Sequence, residues 1–200
     1  MTTTCLQIKN MCCDRCIEVV RNLLQEAGYN PVSVAIGEAA FVKDLSANDI
    51  ENIRRKLKSK GFAIAEKSNE KVTVKIHAAI CGYLGQISNK EPSLQKLSAY
   101  LSEKLHQSYY QLSRRFTETT GVTIEKYFIC LRMEKAKELL MHDELSITEI
   151  AWQLGYSTQQ IFSTQFKKET GKTPGEYRLN PIPKRIHWDK LLWQYFKQNA

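Results

Sequence analysis

No stretch of this 200-residue chain approaches the roughly 20 consecutive apolar residues that a membrane-spanning helix requires. The opening "MTTTCLQIKN" has neither the basic start nor the apolar core of a secretory leader, so the chain is expected in the cytoplasm. There is no phosphate-binding glycine loop, since "CGYLG" has the wrong spacing, and nothing pairs a nucleophile with a base, so catalysis is not expected. A disulfide framework is missing too: the six cysteines are spread unevenly, and cytoplasmic thiols stay reduced. What remains is an ordinary globular composition, which argues against disorder and is long enough for one large core or two small ones.

The net charge of +8 is lopsided. Residues 1–66 hold nine Lys/Arg and eight Asp/Glu, a net of +1, and residues 67–200 hold twenty and thirteen, a net of +7. A neutral front and a basic back suggest that only the back half meets a polyanion.

The front half reads β-α-β-β-α-β. "TCLQIKN" alternates like a strand, and "DRCIEVVRNLLQEAG" sets Ile17, Val20, Leu23, Leu24 and Ala27 on one helical face before Gly28 ends it. "NPVSVAIG" and "EAAFVKD" read as strands joined at Gly37. "SANDIENIRRKLKSKG" starts at a cap cluster, runs apolar at Ile50, Ile53 and Leu57, and stops at Gly61, leaving "FAIAE" as the last strand. That order is the split βαβ, ferredoxin-like arrangement, so the chain is expected to be α+β, with this unit over residues 1–67.

A single helix follows over residues 68–91, with Val72, Ile76, Ala79, Ile80, Tyr83 and Ile87 at helical spacing. It reads as a connector whose apolar stripe must pack on a neighbouring module or on the same helix of a second chain. Residues 92–180 read as all-helical and contain a repeat. "LSRRFTETTGVTIEKY" (112–127) lies over "FSTQFKKETGKTPGEY" (162–177) at a constant offset of fifty. A helix opening on serine precedes each, at Ser93 and Ser146, the second a capping box closed by Glu149 and ended by Gly155. Two helix–turn–helix units therefore stand in tandem, with the long amphipathic helix "TIEKYFICLRMEKAKELLM" between them.

The second helix of such a unit enters the major groove, where every base pair shows a distinct pattern. The first unit offers Leu112 and Phe116 to a core, with Tyr110, Ser113, Arg114 and Thr117 facing away. The second offers Phe162 and Phe166 inside, with Gln160, Ser163, Thr164 and Lys167 outside. Arg114 suits a guanine edge, Gln159 or Gln160 an adenine edge, and Arg115 and Lys167 suit phosphates.

Residues 93–178 resemble the DNA-binding domain of the AraC/XylS family of bacterial transcription regulators. "RMEKAKELL" resembles that family's R-x-x-x-A-x-x-L-L connecting helix, and "ITEIAWQLGYSTQQIFSTQFKKETGKTPGEYR" follows its signature almost throughout. The resemblance implies two recognition helices in successive major-groove segments, with Tyr110, Ser113, Arg114, Gln159, Gln160, Ser163 and Thr164 toward the groove. The first unit departs from the pattern, with about three extra residues at "SEKLHQS" and no glycine in its turn.

Three cysteines crowd the loop "NMCCDRC" between the first strand and the first helix. Met11, Cys13 and Cys16 give M-x-C-x-x-C, a pair of thiols whose negative charge a helix N-terminus favours and whose softness suits a d¹⁰ ion such as Cu(I). Cys12 adds a third thiol, either a further ligand or a strand-end residue pointing inward. Residues 4–66 resemble the heavy-metal-associated domain of copper chaperones and metal-transporting ATPases, whose motif is G-M-x-C-x-x-C on the same element order. Here Asn10 replaces the motif's glycine, and Met11 is expected to pack beneath the loop rather than ligate. The same module could instead have kept its fold and lost its metal, or serve as a redox switch.

His77 and Cys81 stand i, i+4 on the connector, half of a metal site by spacing, but read as core beside their apolar neighbours. The tail 181–200 sets Trp188, Leu191, Leu192, Tyr195 and Phe196 on one helical face, suited to docking on its own domain or a dimer mate. These features point to a regulator that binds double-stranded DNA, with RNA polymerase as a further partner of an activator and the thiol loop as a sensing input. The competing reading is a soft-metal chaperone or thiol-redox protein whose back half binds a protein partner.

Overall fold

The computed structural model describes residues 4–11, 14–88, 95–142 and 144–181. Cys12, Cys13, Ser93 and the apolar tail face lie outside the described residues. The chain is mostly helical, with one small antiparallel sheet near its start.

The front unit runs β1 (Thr4–Lys9), α1 (Asp14–Glu26), β2 (Ser33–Ala35), β3 (Glu38–Phe41), α2 (Ala47–Ser59) and β4 (Ala63–Ile64). Its strands lie in the order β2-β3-β1-β4, all neighbours antiparallel, with Leu6 opposite Ala39 and Ile8 opposite Ile64. Alternation puts Leu6 and Ile8 into the core with Val20, Leu24, Ile53 and Leu57 of the two helices. Ser46 caps α2 reciprocally with Asp49, which anchors the helix start. Hydrogen bonds from its own cap residue Ser46 and from Tyr29 hold the Asp49 carboxyl below its usual pKa.

The third helix, α3 (Ser68–Ser88), covers the other face of that sheet. This explains why Gln7, on the alternate side of β1, is buried as well, and Lys9 pairs with Glu70 at 3.3 Å across the same contact. Gly37, in the β2–β3 turn, sits so close that a Cβ there would lie 2.8 Å from Val74 Cγ1. On its opposite side α3 contributes Ile76, Ala79, Ile80 and Leu84 to the core of the back half. The connector is therefore a shared wall, and its stripe packs within the chain.

The back half runs α4 (Leu97–Leu105), α5 (Tyr109–Thr120), α6 (Ile124–His142), α7 (Ile147–Gln153), α8 (Gln159–Thr170) and α9 (Pro174–Leu179). Leu112, Phe116, Tyr127, Ile150, Phe162 and Phe166 meet at its centre, all shielded from water. The expected insertion in the first unit is absent. α4 opens after Lys96, not at Ser93, so α4 and α7 each begin twelve residues ahead of α5 and α8. α4 is nine residues long against seven for α7, and its turn is correspondingly shorter. His106 takes the left-handed conformation there, at φ 53°, which Gly155 supplies in the second unit at φ 74°.

Candidate nucleic-acid interface

α5 and α8 are copies of one design at an offset of fifty. Each has twelve residues, an N-cap hydroxyl (Ser108, Thr158) that accepts the third backbone N–H, and a left-handed glycine (Gly121, Gly171) at its end. In each, a threonine hydroxyl (Thr120, Thr170) donates to the carbonyl of the buried phenylalanine four residues earlier, at 2.7 Å. Leu112 with Phe116, and Phe162 with Phe166, fix the inner stripe. Tyr127 packs on Phe116 at 5.3 Å, as Tyr177 packs on Phe166 at 5.7 Å.

With the inner stripe fixed, the 3.6-residue period decides what faces water. Tyr110, Arg114 and Arg115 are exposed on α5, and Gln159, Gln160, Thr164 and Lys167 on α8, with Ser113 and Ser163 half-buried at the edge of each face. All nine candidate residues thus fall on these two helices. The second unit is braced by α6. Arg132 donates to the Leu154 carbonyl at 2.6 Å, with its guanidinium over the Tyr156 ring at 3.8 Å. Arg178 of α9 donates to the Leu145 carbonyl at 2.6 Å. These bonds hold both ends of α7, which sets the angle at which α8 projects.

Several neighbours of the exposed residues carry no signal in a composition or a motif. Arg114 donates through Nε to Glu118 at 2.8 Å, an exposed i, i+4 pair that also raises the pKa of the guanidinium. Such an exposed pair contributes little, so the guanidinium is readily released to another acceptor. The Thr148 hydroxyl donates to the Gln159 carboxamide oxygen at 2.6 Å, which orients Gln159 toward α7. Ile161 is 52% exposed beside Gln160, an apolar tip of the kind that meets a thymine methyl.

A family model described as "Helix-turn-helix domain" matches residues 101–180. Over those residues the chain is similar to that family's domain. The chain is 38% identical over 78 residues to the HTH-type transcriptional activator RhaS of Escherichia coli O139:H28 (strain E24377A / ETEC), covering 39% of this chain and 28% of that protein. It is 35% identical over 99 residues to the uncharacterized HTH-type transcriptional regulator SAS0078 of Staphylococcus aureus (strain MSSA476), covering 50% of this chain and 13% of that protein. The chain therefore spans under a third of the length of either relative. Among solved structures, the C-terminal domain of AraT, a response regulator from Geobacillus stearothermophilus, aligns at 33% identity and a TM-score of 0.45, over 56% of this chain and 88% of that one.

Outside the matched residues, the thiol cluster falls in the sequence between β1 and α1. Asn10 takes φ 75°, a conformation glycine adopts freely and asparagine tolerates, and its Nδ2 donates to the Gly61 carbonyl at 2.8 Å. Met11 is fully buried and belongs to the front core. Cys16 is half-buried in the first turn of α1, while Cys13 and Cys12 lie outside the described residues. Among the described residues no group of three or more His, Cys, Asp or Glu side chains is placed to hold a metal ion. His77 and Cys81, with Sγ 3.7 Å from Nε2, lie against each other on α3, and both His77 ring nitrogens have protein partners.

Proposed function

We propose that the chain is a transcription regulator of the AraC type that reads double-stranded DNA through α5 and α8. The observation that carries this reading is the duplicated helix pair, with matched caps, matched inner aromatics and an exposed polar face on each copy. The net of +7 on residues 67–200 supports a polyanionic partner. So does the similarity to an E. coli protein named as a transcriptional activator; acting as an activator, this chain would have RNA polymerase as its second partner. On this reading the protein works in the cytoplasm, and each chain covers two half-sites about one helical turn, ~34 Å, apart.

Selection of bound sites from a random duplex pool gives the operator. On that site Arg114→Ala and Gln160→Ala should each cost roughly 1–3 kcal/mol and blur one half of it. Lys167→Ala should weaken binding to every duplex and reduce the slope of affinity against salt. If neither base-reading substitution alters the ratio of specific to non-specific affinity, the groove faces are wrongly assigned.

The front unit completes the proposal as a ferredoxin-like, heavy-metal-associated-type module. Its element order, the strand order β2-β3-β1-β4, the left-handed Asn10 and the buried Met11 support that reading. Cys13 and Cys16 would hold a thiophilic monovalent ion such as Cu(I), with Cys12 as a candidate third ligand. Ligation needs thiolates, so uptake should release protons and weaken as pH falls. Replacing both Cys13 and Cys16 by serine should abolish uptake of Ag(I), whereas Cys81→Ser and Cys130→Ser should preserve it. Equal metal content in parent and double mutant after dialysis would reject the site.

A further inference from the structure

We propose that His77 mechanically links the loop after β1 to the first helix-turn-helix unit, so that the state of that loop and the affinity for DNA are coupled through one imidazole. This inference rests on the DNA-binding reading above. Its geometry is a buried chain of two hydrogen bonds. His77 Nε2 lies 2.6 Å from the Met11 carbonyl, and the Tyr127 hydroxyl lies 2.6 Å from His77 Nδ1. Met11 belongs to the thiol loop, His77 to α3 and Tyr127 to α6, so one ring joins three elements. Met11 and Tyr127 are fully buried and His77 is 2% exposed, so water does not substitute for either bond.

The chemistry of the chain leaves a single arrangement. A carbonyl only accepts, so Nε2 must carry the proton. Burial holds the imidazole neutral, with its pKa lowered to about 4 against the opposing effect of the Met11 bond. Nδ1 is then a lone pair, and the Tyr127 hydroxyl must donate to it. If the Met11 carbonyl withdraws, the other tautomer becomes available, Nδ1 becomes a donor, and the role of the Tyr127 hydroxyl reverses. The exchange of tautomers would give the ring two hydrogen-bonding arrangements, which is what the proposed link requires. Downstream, Tyr127 stacks on Phe116, whose helix carries Arg114 and Arg115 on its outer face. A shift of that stack moves the base-reading side chains.

The test uses the full chain, freed of metal by chelation, and the duplex chosen by site selection. Tyr127→Phe keeps the ring on Phe116 and removes only the hydroxyl. In the parent, adding duplex should change the hydrogen-exchange rate of the peptide containing Met11 by roughly 5–150-fold, the usual range of site-to-site coupling. In Tyr127→Phe the change should fall to about 2-fold or less on the same scale, while duplex binding itself persists. A second readout needs no substitution: the ¹⁵N shifts of the His77 ring in the parent should move when duplex is added. Equal exchange changes in parent and variant, no change in the parent, or unmoved ring shifts would each overturn the link. A parent that binds no duplex at all would instead remove the proposed function on which the link stands.

Discussion

His77 shows how one side chain can make a whole fold sensitive to acid. Its ring is buried, with the Met11 carbonyl, the Tyr127 hydroxyl and the Cys81 thiol against it. Its pKa falls from 6.5 to about 4 because burial penalises the charged form. The unfolded chain therefore binds a proton below pH 6.5 that the folded chain refuses until about pH 4. The stabilisation is complete above that window and is lost as pH falls through it, by roughly 3 kcal/mol in total. Urea titrations between pH 7.5 and 4.5 should show a steeper loss for the parent than for His77→Gln, and parallel losses would contradict the assignment. The apolar neighbours of His77 and Cys81 made their place in a core legible. The polar partners of His77 were not legible, because Met11 is 66 residues away and Tyr127 fifty, and no periodicity records a hydrogen bond over such separations.

At the scale of the element, the two helix–turn–helix units are a natural comparison of the same design with different ends. Ser146 caps α7 with Glu149 in a reciprocal box, whereas Lys96, the cap of α4, makes no side-chain bond to its helix. Ser146→Ala should cost about 1 kcal/mol, and Lys96→Ser should gain a comparable amount, both read as urea midpoints at constant m. Gly155→Ala should be worse than either. It would force a left-handed alanine and place a Cβ 2.8 Å from Ile87 Cγ2, so a loss above about 1 kcal/mol is expected. An unchanged midpoint in Gly155→Ala would mean that the turn relaxes freely. The same comparison explains where the sequence misled. Ser93 has the chemistry of a cap and Lys96 does not, so the start of α4 was placed too early and three residues looked inserted. The capping box at Ser146 and the breaks at Gly28 and Gly61 were legible because each is a local rule about a few residues, and the repeat because two segments of one sequence can be laid over each other in register.

At the scale of the molecule, the lopsided charge and the βαββαβ order were readable, but the double burial of α3 was not. Its stripe at Ile76, Ala79 and Ile80 announced one packed face, while Thr73, Val74 and His77 gave no apolar signal strong enough to announce another. Both faces are covered, the first by the back-half core and the second by the sheet. A helix shared in this way ties the two units into one cooperative body. Unfolding in urea should therefore be a single transition, with amide protection in β1 and in α6 lost at the same midpoint. Two separated transitions would show that α3 detaches from one side first.

Two glycines grip α3, Gly37 against Val74 about a third of the way along and Gly155 against Ile87 at its end. Between those grips the helix advances about 20 Å, at 1.5 Å per residue. It works as a keyed shaft, and a shaft has a phase. One residue inserted between Val74 and Ile87 would turn one key by about 100° against the other, whereas seven would restore the angle to within about 20° while lengthening the shaft by about 10 Å. The join between the two units is therefore selective for angle before length, which a flexible tether never is.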